Sequence, residues 1–231
     1  MDDLFSDRAI LRDRTLARAD VERLAGADSF AHVIDCDFKD ADLSGLDMSR
    51  WMFDRCQMRS ADFTGAKLEA TQWRSCRGGF ANFTAADLSE AQIVSCDFNN
   101  SAWRRARLSA AQFDRCKLTG ADLTDAAAMD LCFTETLLIN ARLPGFSFHK
   151  QMLSAIDFGQ ADLRKCDFRG TTFDGCSLRD ANVAGCRFDG ADLRGADLGG
   201  IRLVDAGLFR GATISRQQAG QLLGELGLNV R

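Results

Sequence analysis

Every residue whose number ends in 3 or 8, from Val33 to Leu208, falls in one column of 36 positions, and all but Gly78 and Ala128 are large and apolar. The column begins Val33, Phe38, Leu43, Met48, Phe53, Met58, Phe63, Leu68, Trp73. A second column lies two residues earlier and is mostly small: Ala41, Cys56, Ala61, Ala66, Cys76, Ala81, Ala86, Ala91, Cys96. The other three positions of each five are rich in Asp, Arg, Ser, Thr, Asn and Gly, and the frame reads without a slip to Leu208. An internal repeat this strict limits the chain to a repeat architecture.

A period of five fits neither a helix, at 3.6, nor a strand, at 2.0. It is satisfied when each five residues form one side of a four-sided coil. The large residue and the small one two places before it point inward, and the remaining three make the corner and outer wall. Four sides give a 20-residue coil, and coils stack at the inter-strand distance through backbone hydrogen bonds. The cysteines carry the same register. Cys36, Cys56, Cys76, Cys96 and Cys116 are spaced by 20, with Cys176 on the same column and Cys166 and Cys186 on a second inward one. They read as small buried hydrophobes in a ladder; only Cys132 points outward.

Words such as "ADLRG", "ADFTG", "CDFRG" and "ANFTA" resemble the A(D/N)LXX unit of pentapeptide-repeat proteins over residues 31–213. The resemblance implies an all-β solenoid, a right-handed quadrilateral β-helix of about nine coils, flanked by an N-terminal segment (1–30) and a C-terminal helix (214–231). At about 4.8 Å per coil it would be roughly 43 Å long, the length of roughly 13 base pairs of B-DNA.

Both ends need caps, because an open solenoid exposes unpaired backbone. Residues 1–30 lack the period and read as a short helix or an imperfect first coil. At the other end, Ser215 and Gln218 form a capping-box pattern, Ile214 and Ala219 a hydrophobic staple, and Gly227 a C-cap. Ala219, Leu222, Leu223 and Leu226 make an apolar stripe, followed by Leu228 and Val230. This helix reads as an end cap or as a cap that also dimerises. The form I-x-x-x-Q-A-x-x-L-L-x-x-L-G-L-x-V resembles the end of topoisomerase-protecting members of the Qnr, MfpA and McbG type, which implies a homodimer interface of Ile214, Ala219, Leu222, Leu223, Leu226, Leu228 and Val230.

The repeat is poorest over 126–156. The small slot there holds Leu131, Thr136, Phe146, Gln151 and Ile156, outer positions hold Met129, Leu137, Ile139 and Met152, and Pro144 is the only proline. A local bulge with exposed apolar residues is expected, through drift of a tolerant repeat or as a partner contact. The outward aspartates, among them Asp42, Asp62, Asp122, Asp162, Asp192 and Asp197, form a surface array rather than a cleft that would tune acid–base chemistry, and such rows of carboxylates are the expected partner-binding residues of a rod that sits where DNA sits.

The two histidines, His32 and His149, join no nucleophile or metal pattern, and no Gly-rich loop opens a helix. No enzyme, cofactor or metal is expected. A net charge of −4 without a basic run argues against direct nucleic-acid binding. No apolar run approaches a membrane span and no secretory leader is visible, so a cytoplasmic location is expected. The family resemblance implies a DNA mimic that binds a type II topoisomerase (DNA gyrase or topoisomerase IV) and protects it from quinolones or peptide toxins. The alternative is a scaffold with a non-topoisomerase partner. Within 31–213 there are 25 acids and 22 bases, a small excess for a mimic. The unbroken register also leaves no projecting loops, so binding would follow the loop-free manner of MfpA.

Overall fold

The computed structural model describes residues 9–25, 30–201 and 207–230. The chain divides into two compact units, Met1–Cys132 and Phe133–Arg231. Each is a parallel β-solenoid, and together they hold about nine turns. In the first unit, β1 (Ala9–Arg12), β2 (Ala31–Ile34), β3 (Met52–Asp54), β4 (Gln72–Arg74), β5 (Gln92–Val94) and β6 (Gln112–Asp114) follow one another as parallel neighbours. In the second, β7 (Cys132–Thr134), β8 (Met152–Ser154) and β9 (Thr172–Asp174) do the same, and β10 (Cys176–Ser177) pairs with β11 (Ala196–Asp197). Each coil has four sides. In the coil of residues 51–70 their central residues are Phe53, Met58, Phe63 and Leu68, taken below as the first to fourth sides.

The corners explain the period. In the coil of residues 51–70, Ala61 N–H donates to Met58 C=O at 3.0 Å and Ala66 N–H to Phe63 C=O at 2.9 Å. The residue before each donor, Ser60 or Gly65, has φ near +60°. These are type II turns. The corner puts the chain on the next side with the same residue pair facing in, so every fifth residue meets the core. Neighbouring coils are joined by backbone bonds such as Phe63 N–H to Asn82 C=O at 2.7 Å and Asp62 N–H to Ala41 C=O at 2.9 Å.

Inside, like stacks on like. Phe63 lies on Phe83 at 4.8 Å between ring centroids, Phe83 on Trp103 at 4.0 Å and Phe53 on Trp73 at 4.3 Å; in the second unit Phe148, Phe168 and Phe188 stack in turn. Of the three buried tryptophans, Trp73 and Trp103 have their indole N–H answered two residues earlier. Trp73 Nε1–H donates to Thr71 Oγ1 at 2.8 Å and Trp103 Nε1–H to Ser101 Oγ at 2.6 Å. The hydroxyls therefore stand where other words carry Ala or Cys. Gly78, a gap in the large column, is filled from the next coil: a Cβ there would collide with the ring of Phe98.

Eight cysteines are buried and Cys132 is exposed, as the register requires. The buried thiols sit against the preceding coil, with Cys56 Sγ 3.4 Å from Val33 C=O and Cys166 Sγ 3.1 Å from Leu143 C=O. Burial pushes the Cys116 thiol up to about 11.

Three expectations need correction. First, the backbone does not bulge over 126–156; strands and corners recur there as elsewhere. Pro144 and Gly145 (φ +77°) take the two central places of a type II turn closed by Phe146 N–H to Leu143 C=O, the sites proline and glycine suit best. Leu131, Phe146 and Ile156 are simply buried in the small slot. Second, the frame does slip near its end. Thr172 is bridged to Asp192 and keeps the period, but Asp192 is bridged to Thr213, one place later than the period allows. Phe209 rather than Leu208 then stacks on Phe188. Leu203 lies outside the described residues. Third, the N-terminal segment combines both alternatives. The strand β1 joins β2 out of the period, with Ala9 opposite Ala31 where a regular coil would place Leu11. A helix, α1 (Arg18–Ala25), follows it and buries Val21.

Two measurements test this core. A thiol reagent should modify one cysteine per native chain, Cys132, by mass spectrometry; equal labelling of all nine would refute the register. Thr71→Val keeps the shape but leaves the Trp73 indole N–H unpaired, and should cost about 1–3 kcal/mol in urea unfolding.

Candidate partner-binding surface

Asp42, Asp62 and Asp122 lie on the third side of the first unit, where Asp42 and Asp62 are direct bridge partners. Asp162 lies on the third side of a coil in the second unit, Asp192 on a first side and Asp197 on a second side. The six therefore do not form one row. Nor are they free. Each carboxylate accepts the backbone N–H two residues on, at 2.9–3.3 Å: Ser44 for Asp42, Thr64 for Asp62, Thr124 for Asp122, Arg164 for Asp162, Arg194 for Asp192 and Gly199 for Asp197. The Asp side chain closes its own turn, which is the local reason the repeat favours it.

Arginine then takes up most of the charge. Asp162 and Arg164 form a two-pronged pair at 2.8 and 2.7 Å, and Asp192 and Arg194 another at 2.9 and 2.6 Å. Arg104 binds Asp122 at 2.6 Å, Arg179 binds Asp197 at 2.9 Å and Arg18 reaches Asp42 at 3.2 Å. Of the six, Asp62 alone is held by neutral groups, Thr64 and Asn82. Three of these carboxyls are held low by their partners. Arg164 lowers Asp162, the Ser44 hydroxyl lowers Asp42, and Arg194 brings Asp192 to about 2. The sequence signal for this is the D-x-(S/T/R) spacing, which five of the six share.

The apolar candidates are also dispersed. Met129 and Met152 are 71% and 74% exposed, on a fourth and a first side. Leu137 and Ile139 share a second side and are half-buried.

The C-terminal cap is better defined. The helix α2 (Arg216–Glu225) has the full capping box, with Gln218 N–H to Ser215 Oγ at 3.2 Å and Ser215 N–H to Gln218 Oε1 at 2.6 Å. Gly227 (φ +83°) ends it: Gly227 N–H meets Gly224 C=O and Leu228 N–H meets Leu223 C=O, a Schellman closure. The buried face is not the leucine stripe but Gln218 and Leu222. Gln218 Nε2 donates to the carbonyls of Leu193 and Ala196 at 2.6 and 2.7 Å, so a side-chain amide stands in for backbone donors of a further coil. Glu225 accepts from Gly200 N–H. Leu222 is therefore part of the cap's own packing, whereas Ile214, Leu223, Leu226, Leu228 and Val230 are 38–60% exposed. Ala219 is half-buried.

Among the described residues no group of three His, Cys, Asp or Glu could hold a metal, and no helix is long and apolar enough to cross a membrane.

Sequence profiles of pentapeptide repeats match residues 31–69, 61–100, 86–125 and 132–170, and a nine-copy profile of the same repeats matches 154–213. The chain belongs to the pentapeptide-repeat family. No curated protein matches it. Among solved structures it is similar to full-length QnrB1, a plasmid-mediated fluoroquinolone resistance protein, with 21% identity, a TM-score of 0.67, and 96% of this chain and 99% of that one covered. It is also similar to HetL, a pentapeptide-repeat protein involved in heterocyst differentiation regulation from the cyanobacterium Nostoc sp. strain PCC 7120. There the identity is 21% and the TM-score 0.52, with 84% and 88% covered. At these identities the likeness carries the fold.

The Asp turns make a signed prediction. A carboxyl held low in the fold stabilises it fully above the unfolded value near 4 and progressively less as pH falls through the folded value. Melting temperature should therefore drop between about pH 4 and pH 2, and Asp192→Asn should flatten part of that slope. A melting temperature constant over this range would show that these bonds contribute nothing.

Proposed function

We propose that this pentapeptide-repeat protein is a non-catalytic, cytoplasmic homodimer that binds a type II topoisomerase, DNA gyrase or topoisomerase IV, in the place of DNA and shields it from quinolones or peptide toxins. The observation that carries this reading is the C-terminal cap. It closes the last coil with Gln218 and Leu222, yet leaves Ile214, Leu223, Leu226, Leu228 and Val230 in solvent. Apolar groups concentrated on an otherwise polar chain need a cover. A twofold partner supplies the same patch, closes the assembly and prevents growth from the solenoid end. A twofold object bearing carboxylates on successive coils suits the twofold DNA-binding saddle of a topoisomerase. The likeness to QnrB1, a fluoroquinolone resistance protein, over nearly the whole of both chains supports the same reading.

A second reading has its own observation in favour. Arginine pairing leaves little unbalanced negative charge at the outward aspartates, which suits a protein scaffold with a non-topoisomerase partner.

A gyrase supercoiling assay with and without quinolone, titrated with this protein, separates the two. The first reading expects inhibition or rescue at micromolar protein; neither effect would leave the scaffold. Leu226→Asp with Leu228→Asp, both outside the cap's packing, should give folded monomers by sedimentation and abolish the gyrase effect. A wild-type protein that sediments as a monomer at tens of micromolar would remove the dimer and the twofold fit with it.

A further inference from the structure

The residue at each type II corner has positive φ, a conformation that favours glycine and is tolerated by Asn and Asp. The described non-glycine residues in this conformation are Asp, Asn, Arg, Ser, Ala, Glu, Gln and Lys, with one exception, Phe80 at φ +64°. Nothing in the coil requires an aromatic there. The corners before and after it on the same edge are Ser60 and Asn100, and the Phe80 side chain is 56% exposed. Gly79 beside it adds no side chain, and a Cβ there would meet only the Asn99 carbonyl oxygen, at 3.6 Å. The ring therefore stands proud of a bare shelf.

Its surroundings are cationic. Arg59 places its guanidinium 5.7 Å from the ring centroid. Arg77 and Lys117 lie two rungs apart on the same second side, with Asp97 bridged between them. All three cations are exposed, and among the described residues none forms an ion pair with a carboxylate, as Lys67, Arg104, Arg107 and Arg115 of the same unit do; Arg74 and Arg105 share this state but lie on other sides.

We infer that Phe80, with Arg59, Arg77 and Lys117, is a specificity anchor that inserts into an apolar pocket rimmed by carboxylates on the partner enzyme. This rests on the topoisomerase reading above. A DNA-binding saddle is itself basic, so three cations outside any ion pair are repelled by it and match acidic ground beside it. A protruding aromatic flanked by arginine is the composition of an interface hot spot. The solenoid would then use two kinds of side: carboxylates toward the saddle, and this one to fix position and choice of enzyme.

The test measures binding of immobilised gyrase to the full chain. Arg77→Glu with Lys117→Glu makes the protein more acidic by four charges. A protein that bound only as a DNA mimic would bind equally or more tightly; the anchor requires at least tenfold weaker binding. Phe80→Asn places a favoured residue at the corner, so it should melt at the same or a higher temperature while losing at least tenfold in affinity. Wild-type affinity in either variant overturns the anchor and leaves the topoisomerase reading standing. No binding by the wild type overturns both. A lower melting temperature for Phe80→Asn would make the ring structural, and release of a bound twelve-residue oligothymidylate by the same substitutions would assign the side to nucleic acid; each result refutes the proposal.

Discussion

The interaction on which this architecture depends is the backbone hydrogen bond from one coil to the next, repeated at every side. It holds successive coils in register at about 4.8 Å and places each residue over its equivalent in the coil before. Every column is then a stack of like positions. For apolar groups this is favourable: rings stack at 4.0–5.1 Å and buried cysteines recur every 20 residues from Cys36 to Cys116. For charges it is costly, since like charges on directly opposed residues destabilise a sheet. Asp42 over Asp62 is such a pair. The chain answers with turn N–H groups and with arginines two positions downstream or one coil away. A solenoid of this register therefore limits how acidic its own sides can become, and a small net charge is a consequence of the stacking rather than an accident of composition.

The same constraint shapes the ends. Stacking cannot stop without leaving donors and acceptors unpaired, and buried ones cost about 1–3 kcal/mol each. At the C-terminal end a glutamine replaces the missing coil, its amide reaching two carbonyls at once. At the N-terminal end a strand set out of the period and a short helix close the first full coil. The helix α2 has too narrow a buried face to hide its remaining leucines, and the proposed dimer rests on that exposure.

How much of this could be read beforehand follows from where the causes lie. The period, the inward columns, the outward Cys132 and the capping box were legible because each arises from spacing along the chain. The orderly backbone over 126–156 was not: Pro144 and Gly145 look like breakers until they are seen at the two central turn positions that suit them. The shifted register near the end of the solenoid was hidden because Leu208 continues the sequence frame while Phe209 takes the stacking place. The arginine pairs of the aspartates were half visible. Asp162 with Arg164 is a close spacing within one turn, but Asp122 with Arg104 and Asp197 with Arg179 join neighbouring coils. The burial of Leu222 was hidden for the same reason, since a helical stripe does not say which of its members faces the coil beneath.

Regularity also decides where information about partners can reside. Inward positions answer to packing, and corner positions to a positive φ. The aspartate before each large residue answers to its own turn. A residue that satisfies these demands says little about function, because the fold alone explains it. The exposed Met129 and Met152 and the corner Phe80 satisfy none of them, and neither do the leucines beyond the helix α2. They impose apolar exposure or an unfavoured conformation without helping the coil. In a chain whose repeat has many tolerant words to choose from, such costs persist where something outside the coil repays them. Departures from the repeat, more than the aspartates that define it, are therefore the places where the proposed partner surface is to be tested.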